Sequence, residues 1–438
     1  MLKIRYILRL IGAFVARFKG LLVLGVAVGI AMFFITRFIG PSVLGKAQES
    51  IGIAGRYQTE NLPQEILSLI GDGLTKIDEA GFPEPNLAKS WETPDKGRTW
   101  IFQLREDAEW QDGKKVTSSS INYNFTDVEV ERPDESTIVF KLKEPFSPFP
   151  VIVSRPVFKQ GLLGTSEWRV TKASLVGNYV QTIIMKNETK QKKVFRFYPT
   201  EERAKLALKL GEVDKLEGTF TQSPFDKWPT MNISNNINEE QIVSIFFNTK
   251  DQLLLDKSMR QALDYAIDKS QFDGERALSP ISPKSWAYNP QVKRYDYDPE
   301  RAKELIGEAS TDNEIEIKLV SSPVLLPVAE KIADYWKQAG VNTIVQVSSG
   351  IPTDFQAYLA ILDVPKDPDQ YIIWHSTQNV SNISSFQNPR IDKLLEDGRV
   401  ELKTEERKKI YLDFQRFLVE ELPAAFLYHP TTYAVERK

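Results

Sequence analysis

The 438-residue sequence predicts an α/β protein with one N-terminal transmembrane helix. Two observations predict this class. Through most of the chain, strand-like runs with apolar residues at every second position alternate with helix-like runs with apolar residues at every third or fourth position. Such an alternation of strand-like and helix-like patterns is typical of α/β and α+β proteins. In addition, an apolar run broken only by Thr36 and Arg37 precedes Glu49, the first acidic residue.

The composition is that of a globular protein and excludes several function classes. Hydrophobic residues make up 42% and charged residues 26% of the chain, which is close to the globular average. The absence of cysteine excludes disulfides, thiolate metal sites and cysteine nucleophiles. With two histidines and a formal net charge of −3, neither a histidine-rich metal site nor a nucleic acid partner is expected. We therefore predict no cofactor and no metal.

The apolar run covers residues 21–39 and is preceded by basic residues. It is close to the ~20 residues that a helix needs to cross a bilayer. Basic residues before the run favour a cytoplasmic N-terminus. The sequence therefore predicts a basic cytoplasmic segment over 1–19, a transmembrane anchor over 20–40 and a tether over 41–48. The protein would then be a single-pass protein of the cell membrane with an extracytoplasmic body.

A cleaved signal peptide is the alternative interpretation of this segment. Gly45-Lys46-Ala47 matches the small-residue pattern of a cleavage site only weakly. The apolar run is also longer than the ~7–15 residues of a signal peptide, so the anchor is preferred.

Four helices are indicated in the C-terminal half of the body. Apolar residues from Met259 to Ile267 follow helical spacing, and Asp298-Pro299-Glu300 is a strong helix start. A third helix carries Val328 to Trp336 and ends at Gly340, where a strand over Val341–Val347 follows. The fourth begins near Thr404 and is stopped by Pro423.

The N-terminal half of the body is richer in strands. Trp100–Leu104 and Thr137–Leu142 alternate in the manner of half-buried strands. The stretch Asn232–Glu240 is polar and poor in apolar residues, so we place a boundary between two lobes there.

Catalytic signatures are missing from the sequence. There is no nucleophile elbow, phosphate-binding loop, zinc-protease motif or EF-hand loop. The carboxylates Asp363, Asp367 and Asp369 lie close together and leave a hydrolase open as a minor alternative. Such Asp-Pro clusters more commonly form turns and helix caps. We predict that the protein is not an enzyme.

Seven ordered stretches resemble the peptide-type extracellular solute-binding proteins of bacterial ABC transporters, that is, family 5, the oligopeptide, dipeptide and nickel-binding group. The stretches extend from Leu67 to near the C-terminus and share the family's order. They are Leu67–Thr75 with Pro85–Glu92, Trp100–Arg105 with Trp110–Thr117, Glu212–Asp214, Phe247–Thr249 with Arg260–Lys269, Tyr297–Ala302, Asp367–Asp369, and Asn388–Asp392 with Glu406–Lys408.

The resemblance implies a two-lobed, periplasmic-binding-protein-like (type II) fold. The chain would cross between the lobes twice and hold its ligand in the cleft. On this basis we place the first lobe at 49–245, the second at 246–422 and a return to the first lobe at 423–438. After Phe125 the chain passes almost directly to the next strand, so the accessory subdomain of the first lobe is expected to be reduced.

The resemblance also implies a ligand site. An acidic residue receives the amino terminus of a bound peptide in this family, and Asp363 is the candidate for that role. The Trp and Gly residues that usually precede this acid are absent here. Aromatic residues make up 11% of the chain, and rigid rings suit a cleft for varied ligands. We predict Tyr57, Trp286 and Trp374 as cleft aromatics, with His375 beside them.

The predicted function is a membrane-anchored, extracytoplasmic receptor that delivers peptides or similar small ligands to an ABC permease. Its expected partners are the ligand, the permease and the membrane, and a monomer is expected. The alternative is a sensory or scaffold protein that uses the same two lobes without transport.

Overall fold

The computed structural model describes residues 17–20, 24–25, 27–30, 48–309 and 315–438. The described residues before 31 are helical. Most of the predicted anchor over 20–40 lies outside the described residues, and so does the tether except for Gln48, which begins the first strand. None of the helices in the described ranges has both the length and the apolar character that crossing a membrane requires.

The body is built from strands and helices in mixed order, numbered here along the chain. The strands are β1 (Gln48–Ala54), β2 (Thr75–Ile77), β3 (Pro83–Pro85), β4 (Ala88–Glu92), β5 (Thr99–Leu104), β6 (Val128–Glu131), β7 (Thr137–Leu142), β8 (Arg169–Val176), β9 (Tyr179–Lys186), β10 (Lys192–Tyr198), β11 (Lys215–Thr219), β12 (Met231–Ile237), β13 (Gln241–Phe247), β14 (Gly274–Arg276), β15 (Ile315–Ser321), β16 (Val341–Val347), β17 (Ala357–Asp363) and β18 (Ala424–Arg437). The helices are α1 (Gln64–Ile70), α2 (Phe149–Ile152), α3 (Glu201–Leu210), α4 (Lys257–Tyr265), α5 (Pro299–Ala309), α6 (Leu326–Gln338), α7 (Tyr371–Trp374), α8 (Pro389–Val400) and α9 (Thr404–Glu421).

One long strand, β18, belongs to both halves of the main sheet. Its first part, Ala424–Tyr428, pairs with β13, whereas its last part pairs with β11 and β12. The strands follow the order β16-β15-β17-β13-β18-β11-β1-β10-β9-β8. We call residues 48–237 with the end of β18 the first lobe, and residues 241–428 the second lobe.

Separate hydrophobic cores lie under the two halves. In the second lobe a continuous cluster extends from Ile242 to Tyr428 and buries Trp336 and Trp374 completely. In the first lobe a small antiparallel sheet, β4-β5-β7-β6, has its own core around Trp100 and Phe140. The strands β1, β9 and β10 pack against α1 in another core. The arrangement is a mixed α/β fold with two lobes.

The helices begin and end where the sequence supplies caps. Asp256 accepts a hydrogen bond from the amide of Ser258 at the start of α4, 2.8 Å away. Asn388 caps α8 in the same way, with Pro389 in the first turn. After α6, Gly340 adopts φ +98° and leads directly into β16. The strand β16 is parallel to β15, so β15, α6 and β16 form the predicted crossover unit.

The polar stretch in which the boundary between the lobes is predicted has regular secondary structure. Most of it is the strand β12, because Met231–Ile237 pairs along its whole length with the end of β18. Only Asn238–Glu240 forms a turn, and β13 follows at once. The predicted boundary between residues 245 and 246 falls within β13, and the domain boundaries stay predictions.

Candidate functional site: a cleft between the lobes

A cavity of about 840 Å³ lies between the two lobes. Both lobes contribute to its lining. Its lining includes Asp72, Gly73, Lys76, Phe146, Ile152, Arg155, Lys366, Asp367, Asp369, Ile372 and Arg399. Pockets of ~300–1,000 Å³ are typical of small-molecule binding sites, so the cavity has the size of a ligand site.

Asp72 is the acidic group on the first-lobe wall. It follows α1 in a tight segment, because a Cβ on Gly73 would lie 2.4 Å from the carbonyl oxygen of Ser154. Its Oδ2 accepts hydrogen bonds from the hydroxyls of Thr165 and Ser166, at 2.8 and 3.0 Å. Among the described residues no cation lies within ion-pair distance of this carboxylate. Asp72 is therefore held in place by neutral groups and keeps its negative charge uncompensated.

Arg155 is the corresponding cation on the same wall. It follows the short helix α2, and its Nη2 donates a hydrogen bond to the backbone carbonyl of Glu60. In the part of the chain that the structure describes, no carboxylate lies within 4 Å of its guanidinium. Because a guanidinium can hold a carboxylate with two parallel hydrogen bonds, Arg155 can receive an anionic group in the cleft.

On the second-lobe wall the charges are already paired with one another. Asp367 accepts hydrogen bonds from Nη1 and Nη2 of Arg407, at 2.8 and 2.5 Å. Both side chains are 8% exposed. The guanidinium of Arg407 also lies 5.5 Å from the ring centre of Trp286. Since both carboxylate oxygens are used and the pair is buried, Asp367 has a structural role in the cleft wall.

A second pair, Asp369 with Arg399, lies beside it. Arg399 Nε is 3.1 Å from Asp369 Oδ2 but makes no hydrogen bond. The guanidinium is stacked between Phe146 of the first lobe and Tyr371 of the second, 4.8 and 4.4 Å from their ring centres. Burial raises the pKa of the Asp369 carboxyl, and Arg399 opposes that rise. Arg399 therefore joins the lobes as well as balancing Asp369.

Direct contacts between the lobes close the cleft at two places. The amide of Ser147 in the first lobe donates a 2.7 Å hydrogen bond to the carbonyl of Arg399. Elsewhere, the amide of Trp286 donates to the carbonyl of Ala80, 3.0 Å away, and its ring stacks on Phe82. The first of these contacts adjoins the cavity, since Phe146, Pro148 and Arg399 all line it. Both contacts hold the two lobes together.

Two exposed apolar side chains line the cavity from opposite sides. Ile152 of α2 in the first lobe is 45% exposed, and Ile372 of α7 in the second lobe is 58% exposed. Apolar side chains in a cleft can bury an uncharged part of a ligand. They give the cleft an apolar section next to its charged groups.

The predicted site residues do not come together in one place. Asp363 ends β17, is exposed, and accepts a 2.8 Å hydrogen bond from Nε2 of Gln241. Tyr57 packs on Phe197, and burial raises the pKa of its phenol, with Glu65 and Asp363 adding to the rise. Neither residue lines the cavity.

The other three predicted residues lie in or against the second-lobe core. Trp374 is 1% exposed, and its indole nitrogen donates to Oε1 of Gln370 at 2.7 Å. His375 is buried, stacks on Tyr371 and contacts Thr377 through Nδ1. Trp286 lies behind the cleft wall, against Arg407. None of the three lines the cavity, and the ligand-binding assignment of all five residues stays a prediction.

Sequence reasoning missed the two uncompensated charges of the cleft. Asp72 stood within a stretch quoted for the family resemblance, but it carried no charge pattern of its own. Arg155 precedes Pro156 in a loop after a one-turn helix, where no periodicity marks it. In the described ranges no group of three or more metal-ligating side chains occurs.

A sequence model of bacterial extracellular solute-binding proteins, family 5 (middle region), matches residues 83–128 and 119–382. This match covers more than half of the chain. The chain belongs to this family. The predicted family is thereby confirmed.

Curated relatives agree with the assignment. The chain is 23% identical to the oligopeptide-binding protein AppA of Bacillus subtilis, over 90% of this chain and 87% of that protein. It is 22% identical to the dipeptide-binding protein of Escherichia coli, over 81% and 82% of the two chains. Both relatives are named as binding proteins rather than enzymes, which accords with the prediction of a non-enzymatic role.

Solved structures confirm the fold. NikZ from Campylobacter jejuni, in complex with Ni(L-His), superposes with a TM-score of 0.75 at 22% identity and covers 90% of this chain and 94% of its own. AppA from B. subtilis, in complex with a nonapeptide, superposes with a TM-score of 0.70 at 20% identity, over 89% and 95% of the chains. The predicted two-lobed periplasmic-binding-protein-like fold is therefore confirmed.

Proposed function

We propose that this family 5 member is an extracytoplasmic receptor that captures a peptide or similar small ligand between its lobes and delivers it to an ABC permease. Residues 20–40 anchor it in the membrane, with the body outside. The basic residues that precede the apolar run support this orientation. A tethered monomer near its permease would act at a high effective concentration.

The observation that carries the proposal is the cavity of about 840 Å³ with two uncompensated charges of opposite sign on one wall. Asp72 offers a carboxylate and Arg155 a guanidinium, and both lie in the first lobe. A peptide presents an amine and a carboxylate at its two ends, so it can satisfy both groups. The apolar section between Ile152 and Ile372 would then hold an uncharged side chain.

Asp363 remains the alternative contact for the amine, as the family resemblance implies. Its position outside the cavity lining, hydrogen-bonded to Gln241, favours Asp72 for this role. The two carboxylates can be separated experimentally because one is in the first lobe and the other in the second.

Nickel complexed with histidine is a second ligand class, since one structural neighbour was solved with it. Such a complex also carries carboxylates that Arg155 can bind. It would be held as substrate through the histidine rather than by protein ligands, because the described residues offer no cluster of three or more metal-ligating side chains.

Isothermal titration calorimetry and mass spectrometry of the full chain in nanodiscs test the proposal. Pools of di-, tri- and longer peptides and Ni(L-His) are titrated separately. We expect saturable heat with one pool, and a co-purified ligand of the same class. An Asp72→Asn variant, whose amide oxygen can still accept hydrogen bonds from the hydroxyls of Thr165 and Ser166, should bind the same pool more weakly. Absence of both heat and co-purified ligand would reject the receptor role.

Transport is tested separately by uptake of the identified ligand in cells that carry the permease. Loss of uptake on deletion of the receptor supports delivery. Tight binding without any effect on uptake would instead support a sensory or scaffold protein on the same fold.

A further inference from the structure

A row of basic side chains crosses one end of the first-lobe sheet. Lys186 of β9 lies directly opposite Lys192 of β10 and, on its other side, opposite Arg169 of β8. Lys190, in the turn between β9 and β10, extends the row and adopts φ +63°. We call these four residues the basic edge.

The basic edge is not neutralised by the protein itself. Within the described residues none of its four cations has a carboxylate within 4 Å. Two acids are close along the chain: Glu167, which accepts a hydrogen bond from Nδ2 of Asn187, and the exposed Glu188. Like charges directly opposite each other on adjacent strands destabilise a sheet. A row of three is therefore costly unless an external anion compensates it.

The position of the basic edge relative to the start of the body indicates which external anion compensates its charge. Gln48, the first residue of β1, pairs in register with Lys192. The basic edge thus lies at the sheet end where the chain arrives from the predicted anchor. Residues 41–47 can span at most about 25 Å even when fully extended. This end of the sheet is consequently kept close to the bilayer on which the anchor ends.

We propose that the basic edge rests on anionic lipid headgroups at the outer surface of the membrane. Basic residues near an anionic bilayer are attracted within about a Debye length, roughly 8–10 Å at physiological salt. The body as a whole is acidic, since 59 Asp and Glu exceed the Lys and Arg beyond Glu49. An anionic surface would therefore repel other faces and select this one. The contact orients the receptor, and it rests on the anchor assigned under the proposed function.

The test uses the full chain reconstituted in vesicles of phosphatidylcholine alone or with one third phosphatidylglycerol. Because the chain has no cysteine, a single introduced thiol can be labelled with a donor fluorophore. Thr189→Cys places it in the turn at the basic edge. Asn178→Cys places it in the turn at the opposite end of β9, about 25 Å away. Energy transfer to a headgroup-labelled lipid reports the distance to the bilayer.

In vesicles with phosphatidylglycerol, we expect several-fold stronger transfer from position 189 than from position 178. This difference should shrink at 0.5 M salt and in the triple variant Arg169→Gln, Lys186→Gln, Lys192→Gln. Equal transfer in both kinds of vesicle, or no response to salt and to the triple variant, would overturn the proposal. A difference seen only when the permease is present would overturn it in favour of a protein contact.

Flotation of the full chain with vesicles separates this proposal from those on which it depends. If alkaline extraction removes the chain from the vesicles, the anchor is wrong. In that case the basic edge is still supported if the chain floats with anionic vesicles and each neutralised cation weakens vesicle binding about fivefold. A chain that does not float with anionic vesicles would then overturn the basic edge. Ligand binding by the triple variant should equal that of the wild type. A chain that binds no ligand but shows the predicted transfer would overturn the receptor role and leave the basic edge in place.

Discussion

The two walls of the cleft carry charges that are organised in opposite ways. On the second-lobe wall, Asp367 is paired with Arg407 and Asp369 with Arg399. On the first-lobe wall, Asp72 and Arg155 have no charged partner within the described residues. The internal pairs neutralise each other's charges within the protein, whereas the charges of Asp72 and Arg155 can still be neutralised by a ligand. The comparison therefore assigns stability to one wall and recognition to the other.

The largest expected effect comes from breaking the buried pair of the second-lobe wall. Arg407→Met leaves Asp367 buried without a partner, which typically costs about 3–5 kcal/mol. Hydrogen exchange of the β13 and α9 amides measures the loss as a reduced opening free energy of the second lobe.

An exposed pair on the same helix provides the control. Arg416→Met removes the ion pair with Asp413, whose side chains are 53% and 52% exposed. Exposed pairs contribute about 1 kcal/mol or less. Restoring stability with Asp367→Leu in the Arg407→Met background would support the explanation, and a loss no larger than that of Arg416→Met would contradict it.

The next largest effect concerns recognition by the first-lobe wall. Arg155→Gln removes the cation proposed to hold the ligand's carboxylate. A hydrogen bond to a charged group contributes about 1.5–3 kcal/mol, so the dissociation constant should rise about 10- to 100-fold. Calorimetry with the best peptide of the screen measures it, and the unfolding transition should not move.

Amidation of the peptide's C-terminus sharpens the test of Arg155. In the wild type, amidation should weaken binding by about the same factor, and in the variant it should have little further effect. Arg98→Gln is the control, because Arg98 is exposed, is paired with Glu144 and lies outside the cavity lining. Equal losses from amidation in wild type and variant would show that the carboxylate is held elsewhere.

A smaller effect is expected for the amine. Asp72 is half-buried and already accepts three side-chain hydrogen bonds, so Asp72→Asn should weaken binding by only about 1–2 kcal/mol, as expected for charges that are partly screened. N-acetylation of the peptide should cause a similar loss in the wild type. The contrary result is that N-acetylation no longer weakens binding in Asp363→Asn but still does so in Asp72→Asn. The second lobe would then bind the amine, and recognition would not be confined to the first-lobe wall.

Much of the fold could be predicted from the sequence because its signals are local. The apolar spacing from Met259 to Ile267, the helix start at Pro299 and the helix end at Gly340 predicted three helices to within a few residues, and Val341–Val347 is a strand as expected. That the polar stretch after Met231 forms the strand β12 could not be predicted locally, because it pairs with residues of β18 about two hundred positions away. Local propensity cannot detect such a partner.

The site was harder to predict because its residues are brought together only by the fold. Trp374 is followed by a polar stretch in the sequence, yet it is buried in the second-lobe core against Phe246. No local pattern marks Arg155 in the sequence. It stands out only in the structure, because no carboxylate of the described residues lies within 4 Å of its guanidinium. An uncompensated charge is a property of three-dimensional surroundings, which a linear pattern does not contain.

The smallest expected effect is a pH dependence on the second-lobe wall. Burial raises the pKa of Asp369 above its ordinary value, only partly offset by Arg399. The folded state therefore binds a proton more tightly than the unfolded state, whose Asp pKa is about 3.9. The stability of the wild type relative to Asp369→Asn should be highest below that pH and should decrease as the pH rises through the folded-state pKa. Urea unfolding of both proteins between pH 3.5 and 7 measures this difference. A difference that is constant with pH, or that grows as the pH rises, would mean that Arg399 fully compensates Asp369, and this wall would then be as completely paired as the Asp367 pair beside it.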